Sequence, residues 1–419
     1  MRDILTEIWS TARRNKLRTA LTGFAVAWGI FMLIFLLGCG NGLINAQMEN
    51  MNRFLDNSMM VGGGRTSKAY DGLAEGRRIT LNDRDIKTTE TEFTKHIDGI
   101  GAQVEREGVT ISLDDNYFSG SLLGIYPNEQ QISKVEILHG RFINQTDLDM
   151  QRKVLVLDDE QAKELLPHNY KTLVGKYVKV GNLAFKVVGI SKSDKSRFNS
   201  SVHVPFTTLR TMYNIGDKAE NIVFTFHGLE TEAANEDFES DYRHRVNSNQ
   251  RAAPDDESAI WIWNRFTQNM QMNKGVSIIR IALWVIGIFT LLSGVVGVSN
   301  IMLITVKERT KEFGIRKAIG ATPGALLRLI IIESVLITTF FGYIGMVIGM
   351  GANLYMDATV GHTKVDSGLF EATMFVNPTV GFDVCVEATI VMILAGTIAG
   401  MIPARKAART RPIEALRAE

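Results

Sequence analysis

The sequence predicts a polytopic α-helical membrane protein with four transmembrane helices and a large extracytoplasmic α+β domain between helices 1 and 2. Three observations support this fold class. Apolar residues concentrate in four blocks, Lys and Arg flank those blocks on alternate sides, and the long segment after the first block mixes strand and helix patterns.

The four apolar blocks have the length that a membrane crossing requires. The first, residues 19–40, includes the uncharged stretch Ala20–Cys39, and ~20 residues at ~1.5 Å each match a hydrocarbon core of ~30 Å. The other blocks cover residues 276–306, 323–352 and 380–402, and the last two contain Glu333 and Glu387. Core helices of a large soluble protein would not alternate with charge bias in this way.

The basic residues near the ends of the blocks predict the orientation. The loop between the third and fourth blocks, residues 353–379, has Lys364 against Asp357, Asp366 and Glu371. The other three flanks are rich in cations: Arg13, Arg14, Lys16 and Arg18; Lys307, Arg309, Lys311, Arg316, Lys317 and Arg328; Arg405, Lys406, Arg409, Arg411 and Arg417. We therefore expect a multi-pass protein of the cytoplasmic membrane, with both termini and the tail 403–419 in the cytoplasm and residues 41–275 outside.

Residues 1–18 have apolar side chains on one helical face, followed by basic residues. This pattern predicts an amphipathic helix in the cytoplasmic membrane interface, in contact with lipids. A targeting signal is the alternative. The stretch Leu36–Gly40 also resembles a lipoprotein cleavage site before Cys39, and cleavage there would remove the first span.

The extracytoplasmic segment is predicted to begin and end with helical stalks. Leu43, Gln47, Met51 and Phe54–Leu55 continue the helical spacing of the first block, and Pro254 with three following acids predicts the start of a second stalk. That second stalk would present Ile260, Trp263, Phe266 and Met270 on one face. Ordinary domain helices joined by loops are the alternative.

Between the stalks the pattern alternates between strands and helices, and predicts two lobes with one inserted in the other. Val61–Gly76 is glycine-rich and predicts a loop, because no GK[ST] follows it. Predicted strands are Lys153–Leu157, a hairpin over Tyr177–Ile190 that turns at Gly181-Asn182, Ser201–Pro205 and Ile222–Phe226. Predicted helices are Asp83–His96, Asp159–Leu166 and Glu230–Val246.

Composition argues against several functional classes. A net charge of +1 does not indicate a nucleic-acid partner, and two cysteines with seven scattered histidines suggest no metal site. We find no nucleophile–base motif that would identify catalytic residues, and the sequence has no GxxxxGK[ST] phosphate loop. We expect this chain to be no enzyme and to bind no cofactor of its own. A membrane-bound peptidase is the enzymatic alternative.

The segment 307–322 predicts a short charged helix bracketed by two spans. Glu312 and Arg316 stand four residues apart in the favourable order, Gly320 suits the helix end, and Thr322-Pro323 suits the start of the next helix. So short a helix is not stable alone, so we expect it to be braced by the spans and by a partner. The residues predicted to couple to that partner are Lys307, Glu308, Arg309, Glu312, Phe313, Gly314, Ile315, Arg316, Lys317, Ala318 and Gly320. A plain solvated loop is the alternative.

Three motifs resemble the permease half of the MacB/LolC/LolE/FtsX family of ABC transporters. They are "RRNKLRTALTGFAVAWGI", "VKERTKEFGIRKAIGATPGALLRLIIIESVLI" and the tail "IPARKAARTRPIEALRAE". "LHGRFINQTDLDMQRKVLVL" resembles the extracytoplasmic domain of MacB-like members. The resemblance covers nearly the whole chain and is most specific in the cytoplasmic motifs.

The resemblance implies four spans, a periplasmic core domain made of a porter-like part and an inserted subdomain, and a dimer of identical or related permeases in the inner membrane. Residues 307–322 would be the coupling helix that sits in a groove of a cytoplasmic ATPase, and ATP-driven closure would flex the outer domain (mechanotransmission). ATP and Mg²⁺ would be bound by that separate subunit. A periplasmic adaptor and an outer-membrane duct are further possible partners of such an exporter. Lipoprotein release, or signalling to a cell-wall hydrolase as in FtsX, are alternatives to export.

Three ionisable residues fall inside or beside the spans. Such residues are costly in a membrane unless they pair or reach its surface. Arg280 and Glu387 both lie towards the predicted outer side and would pair within the bundle, or each would extend to the surface. Glu333, near Arg328, would brace the coupling helix or also extend to the surface.

Overall fold

A computed structural model of the chain describes residues 16–51, 54–193, 201–361, 364–366, 371–373 and 375–409. The chain divides into two compact units. We call residues 49–273 with 366–372 the β-rich unit, and the remaining residues the helical unit.

Long helices make up most of the helical unit, whereas short helices and strands alternate along the β-rich unit. The helices are α1 (Lys16–Met51), α2 (Asp83–Glu92), α3 (Glu129–Ile132), α4 (Gln145–Asp149), α5 (Asp159–Leu165), α6 (Phe206–Met212), α7 (Glu232–Asn249), α8 (Arg265–Glu308), α9 (Thr310–Ala318), α10 (Pro323–Thr359) and α11 (Phe382–Arg409), with a 3₁₀ turn at Tyr170–Leu173. The strands are β1 (Ser58–Gly63), β2 (Leu81–Asn82), β3 (Ile97–Leu113), β4 (Asn116–Ile125), β5 (Ile137–Gly140), β6 (Val154–Asp158), β7 (Tyr177–Val180), β8 (Leu183–Ser191), β9 (Val202–Pro205), β10 (Lys218–Ala219), β11 (Asn221–Phe226), β12 (Ile260–Asn264), β13 (Lys364–Asp366) and β14 (Glu371–Thr373).

The β-rich unit is built on a ten-stranded mixed sheet with the order β12-β1-β11-β3-β4-β9-β6-β8-β5, in which β7 pairs with β3 and β8. Strand β3 is 17 residues long and serves both halves of this sheet. Its first residues pair with β11, and its later residues pair with β4 across a register shift between Arg106 and Val109. One continuous strand therefore joins two groups of strands. The insertion of one lobe in the other stays a prediction.

Aromatic side chains close one face of the β-rich unit. Tyr242 of α7 is fully buried, and its ring centre lies 5.3 Å from that of Phe224 on β11 and 5.1 Å from that of Phe93. Its hydroxyl is hydrogen-bonded to Thr89 Oγ1 at 2.7 Å. The buried tyrosine thus has a partner for its one polar atom, as a dry core requires.

Within the described residues, three helices are long and apolar enough to cross a membrane: Thr19–Glu49, Arg265–Glu308 and Pro323–Thr359. Helix α11 occupies the position of the predicted fourth span but is not among the three. Its uncharged part, residues 388–404, is bounded by Glu387 and Arg405. The fourth crossing therefore stays a prediction.

Small residues let the long helices of the helical unit approach closely. A Cβ atom added at Gly345 of α10 would lie 2.4 Å from the carbonyl oxygen of Ala27 on α1. About three turns earlier along α10, Ser334 Oγ donates to the carbonyl of Gly396 on α11 at 3.2 Å, and both residues are buried. Contacts between small residues are typical of helix pairs inside membranes.

Most local predictions for the β-rich unit are confirmed. The strands at β6, β7–β8, β9 and β11 and the helices α2, α5 and α7 lie where the patterns placed them, within a few residues. Helix α1 continues to Met51, as the first stalk requires, although Phe54–Leu55 lie beyond it. Val61–Gly63, the start of the predicted loop, belongs to β1.

The start of the second stalk was predicted wrongly, although its later part, with Phe266 and Met270, is helical and continues into the second span. Residues 260–264 form strand β12, which pairs with β1, and the helix begins only at Arg265. The sequence Ile-Trp-Ile-Trp alternates with the period of a strand, and pairing with a strand about 200 residues earlier satisfies its backbone. The predicted interfacial helix 1–18 and the end of the tail 403–419 lie largely outside the described residues.

Candidate functional site

The short helix α9 follows α8 after a single residue. Arg309 separates them, with φ −90° and ψ 9°, while its amide still donates to the Thr305 carbonyl at 3.0 Å. The helix therefore changes direction with little loss of backbone hydrogen bonding. A short helix between two long helices is present, but it covers Thr310–Ala318 rather than the predicted 307–322, because Lys307 and Glu308 still belong to α8.

The end of α9 follows the predicted signals. Gly320 has φ +103°, in the left-handed region that favours glycine, and its amide donates to the Lys317 carbonyl at 3.0 Å. The next helix begins three residues later at Pro323, and the Ala325 amide donates to Oγ1 of its N-cap residue Thr322 at 3.3 Å. Neighbouring residues thus determine both the end of α9 and the start of α10.

One side of α9 is anchored in the helical unit. Phe313 is 3% exposed, and Gly314 beside it is also buried. Phe313 belongs to a buried apolar cluster that also contains Val306 of α8, Leu326 of α10 and Ala404 of α11. A nine-residue helix is marginal in water, so this packing supplies much of its stability.

A chain of ion pairs joins α9 to α10. Glu312 is bonded to Arg309 at 3.0 Å and to Arg316 at 2.9 Å. Arg309 also lies 3.4 Å from the carboxylate of Glu333, a buried residue of α10. The Arg309 guanidinium carbon is 5.5 Å from the centre of the Phe313 ring, so the same side chain contacts the apolar anchor.

The other side of α9 is open. Ile319 is 81% exposed and Ile315 is 46% exposed, although both are large apolar residues. The remaining predicted coupling residues on this side are also exposed: Lys307, Glu308, Ala318 and Gly320; Lys317 is half-buried. The helix therefore has a fixed inner face and an outer face of mixed apolar and charged character.

Two of the three charges predicted inside or beside the spans are not brought together within this chain. Arg280 and Glu387 are both exposed, and the described residues contain no ion pair to either. Their pairing stays a prediction. Glu333 contacts a cation, the guanidinium of Arg309 just before α9, as bracing of the short helix would require; Arg328, its neighbour in the sequence, has an exposed side chain. Arg328 lies more than one helical turn before Glu333 on the same helix, whereas Arg309 approaches from α9.

Comparison with known proteins assigns the family. The model of the MacB-like periplasmic core domain matches residues 19–241, about half of the chain. The model of the FtsX-like permease C-terminal region matches residues 284–412, which include α9. The chain belongs to the MacB/FtsX family of ABC transporter permeases.

Relatives of this permease differ in length. The ABC transporter permease YknZ of Bacillus subtilis (strain 168) is 26% identical over 421 residues, which is 98% of this chain and 97% of YknZ. The macrolide export ATP-binding/permease protein MacB of Shewanella oneidensis is 25% identical over 417 residues, which is 97% of this chain but 59% of that protein. The permease thus spans about three fifths of its MacB relatives.

Among solved structures, the periplasmic region of MacB from Actinobacillus actinomycetemcomitans is similar to 54% of this chain and 97% of that one, with 17% identity and a TM-score of 0.43.

A second group of residues, which no sequence pattern predicts, lies at the start of α8 in this permease. Arg265 is 4% exposed, and its guanidinium carbon lies 3.8 Å from the ring centre of Phe54 and 5.1 Å from that of Trp263. It donates to Ser58 Oγ at 3.2 Å and to the Ile132 carbonyl at 3.3 Å. We call this group the Arg265 clasp. The alternation Ile-Trp-Ile-Trp could have indicated the strand before Arg265. No sequence pattern indicates that Arg265 contacts Phe54.

Proposed function

We propose that this permease is the membrane subunit of an ABC transporter that couples ATP hydrolysis by a separate cytoplasmic ATPase to movement of its β-rich unit. The main support for this proposal is the exposure pattern of α9. Phe313 and the Arg309–Glu333 contact fix its inner face, while Ile315 and Ile319 remain exposed. A helix that is held rigidly on one side and exposes both apolar and charged residues on the other could transmit force from an ATPase bound to it.

The proposal of a separate ATPase has two supports. The 419-residue sequence contains no GxxxxGK[ST] motif. The relative matched along nearly its whole length is named a permease, whereas the longer MacB relatives are named ATP-binding/permease proteins. ATP and Mg²⁺ would therefore bind the partner, and this chain would contribute no catalytic residue.

The long helices support mechanical coupling. Helix α1 has 36 residues and α8 has 44, so at ~1.5 Å per residue they measure about 54 and 66 Å. Both exceed the ~30 Å hydrocarbon core. Helix α8 also follows strand β12 directly, so a displacement near α9 would be carried along one continuous helix into the β-rich unit.

Within this proposal, two permease chains, identical or related, act with the ATPase in the inner membrane, with both termini cytoplasmic. The names of the MacB relatives favour export, so we infer that the substrate is extruded from the periplasm or outer leaflet, with an adaptor and duct as additional partners. The exposed apolar side chains along α8, among them Ile278, Phe289 and Val296, provide surface for lipid or for a second permease.

Co-purification from gently solubilised membranes tests the proposal. Ile315→Ser/Ile319→Ser removes the exposed apolar contacts of α9 and leaves its ion pairs and Phe313 in place. We expect mass spectrometry to find an ABC ATPase with the wild type and at least about tenfold less with this variant, a loss of roughly 1.4 kcal/mol or more.

The matched control is Leu17→Ser/Leu21→Ser, which makes the same chemical change at two exposed leucines of α1. It should retain the ATPase. Recovery of no ATPase with the wild type, under conditions that preserve other ABC complexes, would overturn the proposal. Equal recovery with the α9 variant would remove α9 as the docking element.

A further inference from the structure

A basic cavity of about 720 Å³ opens in the β-rich unit where β6, β7 and β8 meet. Four of its lining residues are cations: Arg141, Arg152, Lys153 and Lys186. None of the residues that line it is acidic. The cavity lies in a different unit from α9, and the transport proposal makes no use of it.

One buried carboxylate stands behind the two arginines. Asp147 has no exposed side-chain surface; it accepts hydrogen bonds from Arg141 at 2.5 and 3.1 Å and lies 3.7 Å from Arg152. Burial alone would raise the pKa of Asp147, but the bonds from Arg141 and from the Asn144 amide hold that pKa below its usual range. The carboxylate is therefore ionised and orients both guanidinium groups.

The two lysines have no such counter-charge. Lys153 and Lys186 are exposed, and neither forms an ion pair with any residue that the structure describes. The Lys186 amide donates to the Lys153 carbonyl at 2.9 Å. This backbone hydrogen bond holds the two lysines next to each other. Asp147 thus contacts only the two arginines, and the excess of cations leaves the cavity strongly positive.

Two glycines allow the backbone turns that bring these cations to one cavity. Gly140 has φ +79° and brings the next residue, Arg141, against β8, where its amide donates to the Val188 carbonyl at 2.9 Å. Gly175 has φ +92°, and its amide donates to the Val187 carbonyl at 2.8 Å. These left-handed turns hold the cavity walls in place without a ligand.

The rest of the lining is apolar or aromatic: Val154, Val174, Val187, Val188, Ala184 and Tyr177. A cavity of a few hundred Å³ with apolar walls and a few convergent polar groups is typical of a small-molecule site. Guanidinium groups match phosphate oxygens in pairs, and the lysines add unpaired positive charge that concentrates anions.

We propose that this cavity binds a small amphiphile that carries a phosphate head group, with the four cations holding the phosphate and with Val174, Tyr177 and Ala184, the lining apolar and aromatic residues that are not buried, contacting its apolar part. The inference concerns binding alone and is independent of the transport proposal. A phospholipid head group and a soluble phosphorylated molecule share this chemistry, and the choice of probes separates them.

The experiment is isothermal titration of the full-length protein in phosphatidylcholine nanodiscs, with empty nanodiscs as the blank. The probes are hexyl phosphate, dihexanoylphosphatidic acid and the neutral hexyl glucoside. We expect hexyl phosphate to bind with a Kd below about 1 mM, hexyl glucoside not to bind, and 500 mM NaCl to weaken the phosphate probe several-fold relative to 50 mM. Tighter binding of dihexanoylphosphatidic acid would identify a lipid, and equal or weaker binding a soluble ligand.

The decisive variant is Lys153→Gln/Lys186→Gln, which removes two exposed charges and should weaken hexyl phosphate binding about tenfold. Its matched control is Lys87→Gln/Lys95→Gln, two exposed lysines of the same unit outside the cavity, which should bind like the wild type. Melting temperatures of both variants check folding, and the salt dependence of the wild type is a test that needs no variant.

Several results would overturn the proposal. One is that the wild type binds no hexyl phosphate, or binds hexyl glucoside equally well. Another is that binding of hexyl phosphate is insensitive to salt, or is weakened equally by the two double lysine variants. Binding of a hexaglutamate peptide without binding of hexyl phosphate would also overturn it, because the cations would then serve an acidic protein segment.

Discussion

Arg309 and Glu333, 24 residues apart in the chain, bring a guanidinium and a buried carboxylate to within 3.4 Å of each other. Both side chains are mostly shielded from solvent, so water screens the pair only weakly. Arg309 sits at the bend before α9 and Glu333 lies inside α10. The contact therefore fixes the angle of the short helix against a long one.

Weakening this pair should loosen α9. In Glu333→Gln the side chain keeps its size but loses its charge, and we expect a local cost of about 1–2 kcal/mol, less than for full removal of a buried partner. Hydrogen exchange of residues 310–318 in nanodiscs should then rise about tenfold. Arg328→Gln is the control, since Arg328 is exposed on the same helix. Faster exchange in the control than in Glu333→Gln would mean that Arg328 is the true partner.

The close contact between α1 and α10 should not tolerate one added methyl group. Gly345→Ala would place a Cβ atom 2.4 Å from the carbonyl oxygen of Ala27, so the helices must separate. We expect a cost of about 1–3 kcal/mol and a lower melting temperature in detergent. Gly351→Ala, on the same helix but facing open space, should be neutral or stabilising by up to ~1 kcal/mol. Equal melting temperatures for the two variants would contradict this packing.

Asp158 should make the stability of the β-rich unit depend on pH. Burial raises the pKa of Asp158 from 3.8 to about 6, against a hydrogen bond from the Gln161 amide that lowers it. The folded state thus holds this proton more tightly than the unfolded state. Ionised Asp158 therefore lowers stability above about pH 6, and the penalty disappears as the pH falls from about 6 to below 4.

The variant Asp158→Asn keeps a helix-capping oxygen and cannot ionise. We expect it to raise the free energy of unfolding of residues 54–273 at pH 8 by up to about 3 kcal/mol, with the gain vanishing near pH 4. Urea titration followed by tryptophan fluorescence measures this. Asp114→Asn, at an exposed turn position, should change stability little at either pH. A gain that is equal at pH 8 and pH 4 would refute the ionisation argument.

The Arg265 clasp should require the planar guanidinium. Lysine cannot stack between Phe54 and Trp263 and also reach two oxygen acceptors, so Arg265→Lys should cost about 1–2 kcal/mol. Faster hydrogen exchange at Ser58–Gly63 would report the loss. Arg245→Lys alters an exposed arginine that pairs with Glu92 and should leave that strand unchanged. Unchanged exchange in Arg265→Lys would show that the clasp adds no stability.

Sequence alone determined the features whose signals are local. Four apolar blocks gave the long helices, short apolar runs and turn signals gave β6 to β9, Gly320 gave the end of α9, and the pair Thr322-Pro323 gave the start of α10. These signals survive because capping, turns and hydrophobic periodicity act over a few neighbouring residues. The motifs also indicated the family that the comparisons assign.

Tertiary structure decided every feature that depends on distant residues. The spacing of Ile260 and Trp263 suits a helix face and the alternation Ile-Trp-Ile-Trp suits a strand, and the pairing edge of β1 decides for the strand. The contacts of Arg309 with Glu333 and of Arg265 with Phe54 likewise join residues that are distant in the sequence, so only the fold brings them together. The four cations of the basic cavity come from separate strands and turns that only the sheet brings together. Local preferences amount to a fraction of a kcal/mol per residue, whereas a paired strand edge or a buried charge involves several, so long-range contacts prevail where the two disagree.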